Sequence, residues 1–366
     1  VLNWLASCKP KQLIRSGCVH ELASQLCLLA TEPQPPEHDP SLDPPSAREF
    51  SCYALDTLAL FLPSKHVLPV VSDFLATAAR APDPPARAGA LAVLAATVEG
   101  TADGLRRHGA RGYVIARDAA LAGLADADVD VRHAAAVALV HLSMHVQPEA
   151  SEDHATLLPP LLAAIQRGQE ESRTIEAHVH TIDGVLACFP DGTEGDVYLA
   201  QLMPALTALL DTLPTSMHDS LLACATSAAA VATAASFEPY ALTLLPRLQR
   251  YAVATEKGLR AARAAATDCA GHVAAALRPE AAQELLPGFL NAALEGFALD
   301  DPLLKDYGYG LLAKGCEVLE QDFVPWLERS VQLAFESLDM VCLLGHRTSQ
   351  IAPFCSHPLS DHASKT

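Results

Sequence analysis

The sequence predicts an all-α superhelix, a solenoid of about seven stacked helix pairs. Three observations lead there. Ala and Leu dominate while aromatic residues make up only 5%, a balance that favours helices over sheet. A short apolar phrase built around a proline returns at intervals of about forty residues, the mark of a repeat architecture. The chain has 366 residues, half of them apolar, which is longer than one compact core usually runs.

The phrase centres on Pro69, Pro159, Pro204, Pro246, Pro287 and Pro325, at successive spacings of 90, 45, 42, 41 and 38. The first spacing holds two periods, with Tyr113, Val114 and Ile115 filling the intermediate helix. A second phrase, Asp83 to Arg87 and then Asp128 to Arg132, recurs 45 residues apart. Each period therefore holds two helices. Helix A is expected to carry its proline near the start, where a missing N–H matters least. A turn with Asp or Pro then caps helix B, whose first turn carries an arginine and small apolar residues.

In order, the expected pairs are 11–62, 64–99, 103–146, 153–189, 194–235, 237–277 and 279–320, with half-repeats at 1–7 and 321–338. Helix B of the third pair shows the burial logic. Val131, Ala135, Leu139, Leu142 and Val146 recur at three- and four-residue spacing and form one apolar stripe. A lone pair cannot bury both its faces, whereas stacking buries a continuous core between a concave and a convex surface. The first pair is interrupted by 31–49, a Pro-rich acidic stretch with few apolar residues, expected to be an extended or disordered loop at the A/B turn. The solenoid is expected over 1–340. The tail 341–366 loses the periodicity and is expected to be disordered.

The net charge of −18 opposes direct binding to nucleic acid and favours a basic protein partner. Ten cysteines are scattered without a C-x-x-C pair, as expected for reduced thiols in the cytoplasm or nucleus. The longest uncharged run, between Asp219 and Glu238, is Ala/Ser/Thr-rich and reads as a buried helix rather than a membrane span. No targeting signal is evident, in keeping with a soluble intracellular protein.

Catalytic signatures are missing: there is no Walker A, G-x-S-x-G or H-E-x-x-H pattern. Gly308, Tyr309 and Gly310 imitate part of a dinucleotide fingerprint, but no strand precedes them, so no cofactor is expected. His141 and His145 stand four apart with no acid at the matching position, and are read as surface or groove residues. In the fourth pair, Glu176, His180 and Asp183 share one face of helix B. No further ligands are expected for a metal there. That face lies opposite the core stripe and, with Asp219 opening the next B helix, is expected to be an acidic strip facing a partner. An enzyme is therefore not expected. A HEAT-repeat scaffold or regulatory subunit of another complex is the alternative to the reading given next.

The order of the repeats resembles the importin-β (karyopherin-β) superfamily, nearest its importin-4 branch, in the central HEAT repeats. The matching stretches are Ala54 to Ala59 with Leu62 and Pro63, Arg87 to Leu94 with Glu99 and Gly100, Asp130 to Leu139, Ser236 to Tyr240, and Tyr307 to Leu312. The resemblance implies a nuclear import receptor of the cytoplasm, nucleus and nuclear pore. It implies that basic cargo, of histone or ribosomal-protein type, lies on concave B helices, with Glu176, His180, Asp183 and Asp219 as contacts. It implies Phe-Gly nucleoporins in slots between convex A helices, and Ran-GTP bound chiefly by N-terminal repeats that this chain lacks. In the family an acidic loop at this A/B turn couples Ran binding to cargo release. Its counterpart here carries only Glu32, Glu37, Asp39, Asp43 and Glu49, diluted by proline.

Overall fold

The computed structural model describes residues 2–33, 44–107, 110–189 and 195–345. Two short helices, α1 (Leu2–Cys8) and α2 (Pro10–Arg15), open the chain. Among the described residues seven A/B pairs follow: α3 (Val19–Leu29) with α4 (Ala47–Phe61), α5 (Leu68–Ala78) with α6 (Pro84–Arg107), and α7 (Ala110–Gly123) with α8 (Val129–His145). After the single turn α9 (Glu149–Glu152) come α10 (His154–Arg167) with α11 (Ser172–Ala187), and α12 (Asp196–Thr212) with α13 (His218–Val231). The last pairs are α14 (Ala234–Ala252) with α15 (Arg260–Ala275) and α16 (Pro279–Phe297) with α17 (Pro302–Leu319), before α18 (Val324–Gly345). No strand occurs among the described residues.

Local chemistry sets the helix ends. Ser46 Oγ accepts from the Glu49 N–H at 3.2 Å while Glu49 Oε2 accepts from the Ser46 N–H at 2.7 Å, a reciprocal cap that starts α4. The expected loop 31–49 is therefore cut back at its C-terminal side, and its residues 34–43 lie outside the described residues. Asp128 caps α8 by accepting from the N–H groups of Asp130 and Val131. Gly168 closes α10 in the left-handed region at φ 58°, which a side chain would resist. At the other end α18 runs on to Gly345, past the expected boundary at 340, because Met340 to Leu344 still suit a helix; 346–366 lie outside the described residues.

The prolines depart from expectation. Pro69 and Pro325 do sit in the first turn of α5 and α18. Pro159, Pro204, Pro246 and Pro287 lie inside α10, α12, α14 and α16. These helices begin one to three turns earlier than the phrase suggests. Pro159, Pro204 and Pro246 face solvent, so water can satisfy the carbonyls their rings leave unbonded.

The B helices pack on one another in series, α4 on α6, then α8, α11, α13, α15 and α17. The A helices touch their own B helix and, more sparsely, the next A helix. Close B packing under splayed A helices makes the B layer the inner, concave side. Small residues permit the approach: at Gly100 an added Cβ would stand 2.2 Å from the Ala59 carbonyl carbon. The third-pair stripe is core, with Val131, Ala135, Leu139, Leu142 and Val146 essentially inaccessible. A core running from Leu68 to Leu333 meets a second from Ala6 to Val93 at α5 and α6, where Phe74 packs on both.

An arginine in the first turn of each early B helix ties neighbouring repeats. Arg48 donates to the Ala30 and Pro85 carbonyls at 3.0 and 3.1 Å. Arg87 donates to both carboxylate oxygens of Asp126, at 2.7 and 2.8 Å. Arg132 donates to Glu170 at 3.0 Å and to the Ala127 carbonyl at 2.9 Å. In α13 a histidine serves instead. The Leu213 carbonyl, 3.0 Å from His218 Nε2, can only accept, so Nε2 carries the proton and Nδ1 accepts from the Tyr251 hydroxyl.

Candidate functional site

Successive B helices build a groove of about 460 Å³ on the inner layer, lined from α11 through α13 and α15 to α17. Three of the four residues expected from sequence line it directly: His180 and Asp183 from α11, and Asp219 from the first turn of α13. Glu176 sits one turn back on α11 and is joined to the others by Ser220. The Ser220 hydroxyl donates to Glu176 Oε1 at 3.3 Å and accepts from His180 Nε2 at 3.1 Å. Ser227 donates to Asp183 Oδ1 at 2.6 Å.

Asp183 is not the freely exposed acid that helical spacing suggests. It is largely covered by α13, and burial raises its carboxyl above the usual range, against the opposing effects of the Ser227 hydrogen bond and His180. Reversing it to lysine would bury an ammonium group, so an isosteric amide is the appropriate probe.

Spacing within one helix misses the far wall of the groove. Asp268 on α15 and Tyr307 on α17 line it. Burial raises the Asp268 carboxyl, with His272 and Lys314 opposing and Asp306 adding to the rise. The Tyr307 phenol is pushed up first by burial, then by the charges of Asp268, Asp306, Asp183 and Asp219. Asp183, Asp219 and Asp268, from three successive B helices, thus line one groove with Tyr307 of a fourth. The signal for them was the repeat register, since contacts such as Ser227 to Asp183 step by 44 residues.

The floor is alanine, from Ala187, Ala223, Ala261 and Ala265, and no lysine or arginine lines the groove among the described residues. Such a site suits a cationic side chain, whose stem lies on apolar carbon while its head meets carboxylates. Among the described residues no group of three His, Cys, Asp or Glu side chains is placed to hold a metal ion. His141 and His145 stack on α8 with ring centroids 5.8 Å apart, and burial lowers His141, with His145 adding to the fall and Glu99 of α6 opposing it. Gly308 and Gly310 lie inside α17, not at a strand-to-helix turn. No helix among the described residues is long and apolar enough to cross a membrane.

No family model matches the chain. The probable importin subunit beta-4 of Schizosaccharomyces pombe is 26% identical over 343 residues, covering 92% of this chain and 31% of the relative. The chain is thus similar, over most of its length, to a stretch of an importin-β-type protein. Two solved structures share the fold of this solenoid. Kap121p bound to the extreme C-terminus of the protein phosphatase Cdc14p gives a TM-score of 0.73 at 20% identity, over 90% of this chain and 32% of that one. Kap121p bound to Nup53p gives 0.71 at 19% identity, over the same shares. The chain thus spans about a third of the length of the relatives it matches.

The outer layer of the solenoid carries apolar slots between A helices. One of about 540 Å³ lies between α14 and α16, with Leu242, Leu245 and Leu285 on its walls. Val253 and Phe289 line an adjoining cavity of about 190 Å³. A third slot, about 250 Å³, separates α5 from α7 and contains Leu75, Ala79 and Ile115.

Proposed function

We propose that this chain is part of a nuclear transport receptor and that its inner groove holds lysine- or arginine-rich segments of cargo proteins. The observation that carries this reading is the lining of one groove by Asp183, Asp219 and Asp268 beside Tyr307, with no lysine or arginine lining it among the described residues. Binding is stoichiometric and electrostatic, and the net charge of −18 steers basic partners toward the inner layer. Cargo of histone or ribosomal-protein type has the required charge. The likeness to importin subunit beta-4 and to the Kap121p fold supports the receptor class. The outer slots are the places for Phe-Gly nucleoporin segments, and Kap121p bound to Nup53p supports a nucleoporin as partner. The receptor would move between cytoplasm and nucleus through the pore, with Ran-GTP releasing cargo through repeats N-terminal to those described.

The test is anisotropy with a fluorescent lysine-rich peptide. Replacing Asp183, Asp219 and Asp268 together by asparagine keeps their shapes and removes three charges. Affinity should fall by at least about tenfold, since charge-assisted contacts contribute on the order of 1.5–3 kcal/mol each. Unchanged affinity in folded protein would rule the groove out as the cargo site. In a separate pull-down, residues 1–366 alone should hold Ran-GTP weakly or not at all; tight, nucleotide-selective capture would contradict this division of labour.

A further inference from the structure

Consecutive A helices pack on one another from α3 to α7 and from α10 to α16, but α7 and α10 show no comparable packing among the described residues. The four-residue turn α9 is set between the third and fourth pairs and packs on α8, α10 and α11. On the outer layer this joint is bridged by polar groups. The Asp153 carboxylate, between α9 and α10, accepts from Arg117 and, at 3.4 Å, from the Tyr113 hydroxyl, both of α7. Glu149 of α9 stands 3.5 Å from Arg106 at the end of α6, and Arg106 also donates to the His145 carbonyl at 2.6 Å. The inner layer is tight by contrast. A Cβ on Gly184 of α11 would stand 2.8 Å from Ser143 Oγ of α8, and Gln147 donates to the carbonyls of Gly184 and Ser143 at 3.1 and 2.6 Å.

Buried polar atoms are unevenly satisfied along the solenoid. Five buried side-chain N and O atoms among the described residues have no hydrogen-bond partner, and three of them, Arg106 Nε, Glu149 Oε2 and His178 Nδ1, lie on helices that meet at this joint. An unbonded buried polar atom costs free energy that water returns once it is reached. Arg106 and Glu149 attract each other across 3.5 Å, yet neither of these two atoms makes a hydrogen bond. His178 is buried on α11, with Glu170, Arg167 of α10 and His133 of α8 as its charged and titratable neighbours. Between the fifth and sixth pairs, by comparison, His218 is 4% exposed and both its ring nitrogens are bonded, to Leu213 and Tyr251. Equal burial thus goes with full bonding where A helices pack, and with an orphaned nitrogen where they do not.

We propose that the joint between the third and fourth pairs is a latched hinge, with Gly184 against Ser143 as its pivot and Asp153 as its latch. Closed, as in this structure, Asp153 holds α7 through Arg117 and Tyr113. Open, the outer edges of α7 and α10 part about the pivot, and the orphaned atoms reach water while the B helices stay in contact. The latch is made of hydrogen bonds and an ion pair, not of an apolar seam. Its release therefore exposes little apolar surface and costs less than parting helices that bury such a seam. The hinge stands directly N-terminal to α11, the first wall of the acidic groove. Opening re-angles the repeats before α9 against the groove-bearing repeats, whose own spacing does not change.

Carbethoxylation by diethyl pyrocarbonate, followed at each histidine by peptide mass spectrometry on the full chain, tests this. The reagent reaches His178 or His218 only when the surrounding helices part. In wild-type protein His178 should react at least about tenfold faster than His218, the advantage that an unbonded buried atom gives to opening. The Tyr113→Phe, Arg117→Met double variant removes both latch donors and should speed His178 by about tenfold more, with His218 unchanged. Tyr113→Phe alone, the milder change, should speed His178 by a smaller factor. Arg278→Met, which breaks a tie to Glu238 between α14 and the start of α16, should alter neither rate. Equal rates at His178 and His218 in wild-type protein would overturn the hinge. A His178 rate indifferent to both latch variants would overturn it too. So would latch variants that speed both histidines alike, since that reports general loosening and not motion at one joint.

Discussion

His178 is 2% exposed on α11, and its Nδ1 has no hydrogen-bond partner. Burial pushes its pKa down to about 4, with Arg167 and His133 adding to the fall and Glu170 opposing it. Burial likewise lowers His133 and His141. A proton binds the unfolded chain more readily than the folded one at each of these sites. Stability is therefore full above the ordinary histidine range near pH 6.5 and declines as pH falls toward 4. For His178 the decline amounts to about 3 kcal/mol at most. His178→Leu should flatten the fall of the urea midpoint between pH 6.5 and 4.5 without lowering stability at pH 7.5; an unchanged slope would show that His178 is not the group responsible. Arg263 is a different case, a buried charge with a backbone carbonyl at each terminal nitrogen. It is 3% exposed and donates to the carbonyls of Ala254 and Ala292, both at 2.7 Å. Arg263→Met should cost about 3 kcal/mol, because two carbonyls lose their donor, and the thermal midpoint would reveal it.

At the scale of the helices, spacing between layers depends on residues that lack a side chain. A Cβ at Gly100 of α6 would meet the backbone of Ala59 at 2.2 Å, whereas one at Gly288 of α16 would meet nothing within 4 Å. Gly100→Ala should destabilise by about 3 kcal/mol or more through forced separation of α4 and α6. Gly288→Ala should stabilise by about 0.5–1 kcal/mol through helix propensity, and paired denaturation curves would check both. The pairing of helices is legible in the sequence because each pair must bury an apolar stripe of period 3.6, and Val131 to Val146 shows it without interruption. Helix starts are less legible: interior prolines such as Pro204 and Pro246 look like first-turn residues until their exposed placement is known. The groove is half legible for a related reason. Glu176, His180 and Asp183 share a face by spacing alone, but Asp268 and Tyr307 join them only through the register between repeats. That register is fixed by side-chain ties across roughly forty residues, such as Arg260 with Asp301, and not by periodicity within a helix. Whether Asp183 is exposed depends on α13 lying over it, which no property of α11 reveals.

The whole molecule combines a net charge of −18 with an inner groove lined by Asp183, Asp219 and Asp268. Carboxylate–lysine attraction in an open groove is screened once the Debye length shrinks from about 14 Å at 0.05 M to about 4 Å at 0.5 M. Raising sodium chloride from about 0.05 to 0.5 M should thus lower the affinity of the lysine-rich peptide by at least about tenfold. A salt titration followed by anisotropy on wild-type protein measures this. An affinity indifferent to salt would contradict a Coulombic groove.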